Sequence, residues 1–302
     1  VPSFRAWLVM ALVRATRMKD KARDTARLPE RVRMIQARGP ASPGAARERR
    51  LRIERQGFGG YELITAAPRE GDSRHHILYL HGGAYVFDLL DVHWRVIEGL
   101  IHRTGATVSI PIYPLAPARC WSDVFALVRP LHAALAERHG AENLTVMGDS
   151  AGGGMTLALA QEIRDAGEAL PARLVLLSPW LDVVTDDPGV VAAEARDPML
   201  AIPAARMAGR WYARDLSLRD PRVSPIYGSL RGLPPIAVFT GTRDMLNADS
   251  RRLRDKAAEE GADLIFREYD GLCHVWMALP MPEARQALDE AAAFMEAAAP
   301  GD

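Results

Sequence analysis

Leu144-Thr145-Val146-Met147-Gly148-Asp149-Ser150-Ala151-Gly152-Gly153-Gly154-Met155-Thr156-Leu157-Ala158 changes its character in the middle. The first four residues read as a short buried strand. The last four read as one side of a helix. Between them stands Gly148-Asp149-Ser150-Ala151-Gly152, a G-x-S-x-G pattern at a strand-to-helix turn. Such a turn strains the serine backbone and lifts its Oγ clear of the sheet. The flanking glycines leave room for close approach, and the helix N-terminus behind favours developing negative charge. The plainer alternative is an ordinary glycine-rich turn that binds phosphate.

Working outward, β-rich runs recur near 51–56, 61–66, 76–81, 106–112, 144–148, 173–178, 235–240 and 263–268. Several are nearly continuous apolar runs, such as Ile77-Leu78-Tyr79-Leu80 and Leu174-Val175-Leu176-Leu177. Strands covered on both faces read this way, as in parallel sheets. Helical patterns fall at 91–104, 119–138, 151–166, 247–261 and 282–298. The first two runs have no helix between them and predict a hairpin around Gly57–Gly60. From the third run onward strand and helix alternate, which predicts a doubly wound α/β sheet. Residues 3–38 read as helical with a break at Pro29, and Gly39-Pro40-Ala41-Ser42-Pro43-Gly44 ends that segment. The interval from Pro179 to Pro234 holds no convincing strand and one helix, Pro203 to Arg214. It far exceeds the usual connection of about 2–6 residues. Such an insertion is placed to cover the carboxyl edge of the sheet, where ligands bind in open α/β folds.

The 302 residues suit one large domain or two small ones. Hydrophobic residues at 48% and charged residues at 25% exclude disordered, collagenous and disulfide-scaffold classes. Lys+Arg and Asp+Glu are equal at 38 each, so no global charge argues for nucleic acid. The charge is uneven: residues 1–55 carry 15 basic and 5 acidic side chains. The simpler reading is a basic segment folded onto an acidic body, and the sharper one is an anionic membrane surface. Trp7-Leu8-Val9-Met10-Ala11-Leu12-Val13 is too short to span and reads as one face of an amphipathic helix. Cys120 and Cys273 form no metal-ligand spacing and no C-x-x-C, so a reduced, cytoplasmic setting is the simplest expectation.

The remaining chemistry falls at strand ends. His81-Gly82-Gly83-Ala84 follows the third run, and its glycine N–H groups can face an oxyanion. Gly82, Gly83 and Ala151 are the expected donors, with His81 holding the loop. The general base should come last in chain order, after nucleophile and acid. His274 lies just after the last run, whereas His75 and His76 precede a strand and His93, His102, His132 and His139 fall on helical patterns. Asp244 follows the run ending at Thr240 and is the expected acid, preferred to Asp249 and Asp182 by position. Asp270 reads as a turn carboxylate.

Together, His81-Gly82-Gly83, Gly148-Asp149-Ser150-Ala151-Gly152-Gly153, Asp244 and His274 resemble the hormone-sensitive-lipase-like esterases of the α/β-hydrolase superfamily, also called bacterial family IV. Tyr113-Pro114-Leu115-Ala116-Pro117, Leu177-Ser178-Pro179-Trp180-Leu181-Asp182, Asp197-Pro198-Met199-Leu200 and Leu233-Pro234-Pro235 support the resemblance, which runs from about residue 60 to the C-terminus. It implies an α/β-hydrolase fold: a mostly parallel eight-stranded sheet with helices on both faces and a helical cap. The expected division is cap helices in 1–45, core in 46–180 and 231–302, and a cap insertion in 181–230. It implies hydrolysis of short- to medium-chain acyl esters through a Ser150-His274-Asp244 triad, with no metal and no cofactor. Homodimers are common for this fold. Three departures stand out: Ala84 replaces the usual glycine, Pro114 stands where many members have arginine, and Ala118 where many have glutamate. The Tyr-Pro-Leu-Ala-Pro variant is similar to a branch with acetyl-ester and monoterpene lactone hydrolases.

Alternatives with the same triad are a lactone hydrolase and an amidase such as an arylformamidase. A non-catalytic ligand-binding protein is a different class. Plant gibberellin receptors resemble this family but lack the catalytic histidine, and His274 argues against that reading here. Tyr85, Trp180, Met207, Trp211, Tyr212, Val275 and Trp276 are expected near the site as pocket walls, each equally suited to core packing. Expected partners are a small-molecule ester and neither nucleic acid nor a membrane span, with at most weak surface association.

Overall fold

The computed structural model describes residues 2–71 and 73–297. Its eight strands form one sheet: β1 (Leu51–Phe58), β2 (Tyr61–Pro68), β3 (His76–Leu80), β4 (Thr107–Pro111), β5 (Leu144–Asp149), β6 (Arg173–Leu177), β7 (Ile236–Gly241) and β8 (Leu264–Tyr269). The spatial order is β1-β2-β4-β3-β5-β6-β7-β8. β1, β2 and β4 pair antiparallel, and every later pairing is parallel. Phe58 pairs with Tyr61 across Gly59 and Gly60, whose φ of 58° and 83° make the tight two-residue turn.

The continuous apolar runs follow from burial on both sides. Leu78, Leu80, Val146, Leu174, Leu176 and Val238 enter one core with the helices α6 (Trp121–His139) and α7 (Ala151–Asp165). Ile77, Tyr79, Met147, Val175, Leu177 and Phe239 enter the other with α5 (Asp91–Thr104) and α11 (Pro282–Glu296). Alternate residues of one strand thus feed opposite cores. The outer strands β1 and β8 carry Arg52, Glu54, Arg55, Arg267 and Glu268, charges that discourage edge pairing.

The N-terminal segment corrects the reading of a break at Pro29. Its helices are α1 (Phe4–Ala15), α2 (Met18–Arg23), α3 (Leu28–Gln36) and α4 (Ala45–Arg50). Pro29 sits in the first turn of α3, where its missing N–H costs nothing. The chain turns instead at Arg17, with φ 53°, and across Asp24–Arg27. α1 is not one apolar face against one polar face, because large apolar side chains lie on its exposed side as well. Part of the basic excess does settle on the body: Arg47 and Arg50 both reach Glu98 of α5, at 3.2 and 2.6 Å.

The long interval after β6 contains α8 (Pro188–Glu194), which the pattern did not reveal, and α9 (Ile202–Ala213). α2 packs on α9, and α8 packs on α10 (Asn247–Glu260). Among the described residues no helix is long and apolar enough to cross a membrane.

Candidate active site

Parallel strands deliver every candidate residue to one edge. Ser150 follows β5, Asp244 follows β7, His274 follows β8, and His81–Ala84 follow β3. This is the carboxyl edge, where open α/β sheets place their chemistry.

Ser150 caps α7 at φ 53° and ψ −120°, a region L-residues rarely enter. The conformation is held from both sides. Ser150 N–H donates to Leu177 O at 2.8 Å, and Trp180 N–H donates to Ser150 O at 2.8 Å. Gly152 is obligatory, since a Cβ there would run into the carbonyl oxygen of Leu80. The turn therefore presses α7 against β3 and its following loop.

His274 is 6% exposed and bridges the other two groups. Its Nε2 lies 2.8 Å from Ser150 Oγ, and its Nδ1 lies 2.8 Å from Asp244 Oδ2. The second oxygen of Asp244 accepts the N–H of Leu246 at 2.9 Å, which fixes the carboxylate. Burial alone would lower the pKa of His274. The adjacent negative charge of Asp244, helped by Asp197 and Asp149, outweighs burial and raises it above the usual 6.5.

The rivals for the acid lie elsewhere. Asp249 and Asp182 both pair with Arg252, at 2.7 and 3.3 Å, and Asp182 also accepts from the Tyr227 hydroxyl. Burial, with Asp182 nearby, pushes Asp249 up to about 7. Asp270 is a loop carboxylate that accepts from Thr242 Oγ1.

The loop after β3 differs from expectation at one position. Gly82 N–H already donates to Asp149 Oδ1 at 2.9 Å, so it is not a free donor. Its close approach to Asp149 leaves no space for a side chain at 82. The N–H groups of Gly83, Ala84 and Ala151 have no acceptor among the described residues. Ala84, at φ 54°, lines the same cavity as Ser150. His81 is fully buried: its Nδ1 meets Gly82 O at 2.7 Å, and its ring stacks on Tyr113 at 4.1 Å. Burial, with His93 nearby, pulls its pKa down to about 3, which suits a neutral loop-holding imidazole.

Asp149 is a second anchor that sequence reasoning passed over. It accepts from the Tyr79 hydroxyl at 2.7 Å and faces His93 Nε2 at 3.4 Å. Burial would raise its carboxyl, but His93, Tyr79 and Gly82 hold it down at about 2. His93 is itself fixed by the N–H of Leu90, which donates to its Nδ1. No short-range signal marks this pair, because His93 lies on α5, far from Asp149 in the chain.

A cavity of about 360 Å³ opens over Ser150. Met18, Ala22, Leu28 and Ile35 of the N-terminal helices form one wall, and Ala201, Ala204, Ala205 and Ala208 form another. Lys21 and Arg31 also line it. Of the seven expected wall residues only Trp180 borders this cavity. Tyr85 and Tyr212 instead stack on each other at 3.6 Å, both buried. Trp276 fills the core behind α1, Met207 and Trp211 pack on the other core, and Val275 shapes the histidine loop through its N–H to Ser178 Oγ. Most of the expected aromatic rings serve packing, and the cavity is bounded mainly by alanine, methionine and leucine, with Phe87 and Trp180 beside them. Cys273 beside His274 is buried, and burial pushes its thiol up, so it is a packing residue.

Residues 77–278 match a family model described as alpha/beta hydrolase fold. The chain belongs to the α/β-hydrolase fold family. It is 33% identical over 243 residues to an acetyl-hydrolase of Streptomyces hygroscopicus, covering 78% of this chain and 79% of that protein. It is 35% identical over 224 residues to a triacylglycerol lipase of Mycobacterium tuberculosis. That match covers 74% of this chain and 46% of the relative, so the chain spans under half of that lipase. A crystal structure of a hormone-sensitive lipase from a metagenome library superposes with a TM-score of 0.84 at 25% identity, over 96% of this chain and 97% of the other. Within the α/β-hydrolase fold family the chain sits among the hormone-sensitive-lipase-like esterases, which are carboxylic ester hydrolases.

Proposed function

We propose that this α/β-hydrolase cleaves short- to medium-chain acyl esters through an acyl-enzyme on Ser150. The observation that carries the reading is the unbroken relay Asp244–His274–Ser150, with both links at 2.8 Å. Asp244 holds the imidazole with Nδ1 protonated and steadies the imidazolium that forms. His274 Nε2 takes the serine proton as Oγ attacks the ester carbonyl. Gly83, Ala84 and Ala151 N–H groups hold the oxyanion. The imidazolium then protonates the leaving alcohol, and water activated by the same histidine releases the acid. Among the described residues, those of 1–45 and 181–230 act as a cap over a core of 46–180 and 231–302.

The size of the cavity supports the chain-length reading. Its 360 Å³ is near the small end for ligand sites, with room for roughly a dozen water-sized groups. The test is a panel of p-nitrophenyl acetate, butyrate, octanoate and palmitate, with a simple lactone and N-formylkynurenine. Turnover is expected for acyl chains up to octanoate and a steep fall at palmitate. Faster lactone or formamide hydrolysis would move the assignment to those branches, and no turnover of any of them would sink it.

The raised pKa of His274 fixes the sign of the pH response. Only the neutral imidazole can accept the serine proton, so activity is lost as pH falls through that pKa. The acid limb of kcat/KM for p-nitrophenyl butyrate should therefore have its midpoint above 6.5. A midpoint below 6.5 would contradict the electrostatic account of the site.

A further inference from the structure

α1 carries apolar side chains on both its inward and its outward side. Ala6 and Met10 turn inward to the core that contains Trp276 and Met281. On the opposite side Phe4, Trp7, Leu8 and Leu12 remain 79%, 61%, 47% and 60% exposed. At 3.6 residues per turn these four fall within one arc of about 140°. Arg5 and Arg14 lie at the two edges of that arc. Phe4 and Trp7 stack on each other at 6.1 Å and so form one continuous apolar surface. Met18, the first residue of α2, is also exposed and lines the cavity over Ser150 together with Lys21.

Charge selects the occupant of this face. Residues 1–23 hold six basic side chains against the single acid Asp20. Arg17 pairs with Asp20 and Arg23 with Glu194, while Arg14 and Lys21 have no ion pair among the described residues. An isologous second copy on this face would set arginine against arginine. An anionic bilayer offers both an apolar layer for the aromatic and leucine side chains and phosphates for the flanking cations.

We propose that α1 is a docking helix for anionic lipid surfaces, with Phe4, Trp7, Leu8 and Leu12 set among the acyl chains and Arg5 and Arg14 at the headgroups. Docking brings the cavity mouth at Met18 and Lys21 to the lipid surface. The binding goes beyond ester hydrolysis and stands without it, whereas delivery of a lipid-dissolved ester to Ser150 rests on that reading.

The experiment is co-sedimentation with phosphatidylcholine vesicles and with vesicles of phosphatidylcholine plus phosphatidylglycerol. Binding to the anionic vesicles should exceed the neutral ones by about tenfold at low salt and fall as salt rises. A variant with Phe4→Ser, Trp7→Ser and Leu12→Ser, and a second with Arg5→Glu and Arg14→Glu, should each lower it by about tenfold. Both should hydrolyse dissolved p-nitrophenyl butyrate at the wild-type rate, which separates a loss of docking from a loss of fold. Wild type that stays in the supernatant with both vesicles overturns the proposal, as do variants that bind like wild type. Self-association abolished by the serine variant, with no vesicle binding, would assign the face to a second copy. Vesicle binding without ester turnover would retain the docking and remove only the delivery.

Discussion

Replacing Ser150 by alanine is expected to lower kcat for p-nitrophenyl butyrate by about 10⁶-fold, because members of such a relay act as a unit. The Oγ is the one group that His274 Nε2 addresses, and nothing else on the strained turn can form the acyl-enzyme. The fold should be indifferent. The turn is held by the backbone bonds to Leu177 and Trp180, which alanine keeps. Thermal melting of the variant should match the wild type. A variant retaining a few per cent of kcat would mean that the nucleophile is another group.

Asp244→Asn is expected to cost about 10⁴-fold in kcat, since an amide cannot hold Nδ1 protonated or offset the imidazolium charge. It should also shift the acid limb to lower pH, because Asp244 is the chief group raising the histidine. Asp249→Asn is the matched comparison. That carboxylate meets Arg252 and not His274, so its loss should act on stability and leave most of kcat intact. Equal losses at the two positions would remove Asp244 from the relay. Unequal losses, with the pH shift confined to 244, fit the geometry.

The fold was legible because burial on both faces writes itself as uninterrupted apolar runs. Ile77–Leu80 and Leu174–Leu177 are such runs, and all eight strands lie within two residues of their predicted positions at either end. Ser150, Asp244 and His274 were legible because each stands just past a strand end. What escaped depended on contacts between distant segments. Whether Gly82 or Ala84 offers a free N–H turns on where Asp149 points, 67 residues away from Gly82. His93 looked like any helical histidine until α5 brought it to Asp149. The aromatic residues near the site were legible as large apolar groups but not as core, because stacking of Tyr85 on Tyr212 joins β3's following loop to α9. Pro29 misled because proline ends a helix or opens one, and only the neighbouring turns decide which.

The alanine wall of α9 separates two kinds of inheritance. Chemistry is carried by the turns after β3, β5, β7 and β8, where nearly every position is fixed by an unusual φ, a close approach or a hydrogen bond. Fit is carried by Ala201, Ala204, Ala205 and Ala208, whose side chains bear no bond to the relay. A lineage descending from this chain can therefore change its diet by enlarging one alanine at a time, shortening or bending the chamber without touching the reaction. The enzyme's future specificities are stored in its smallest side chains.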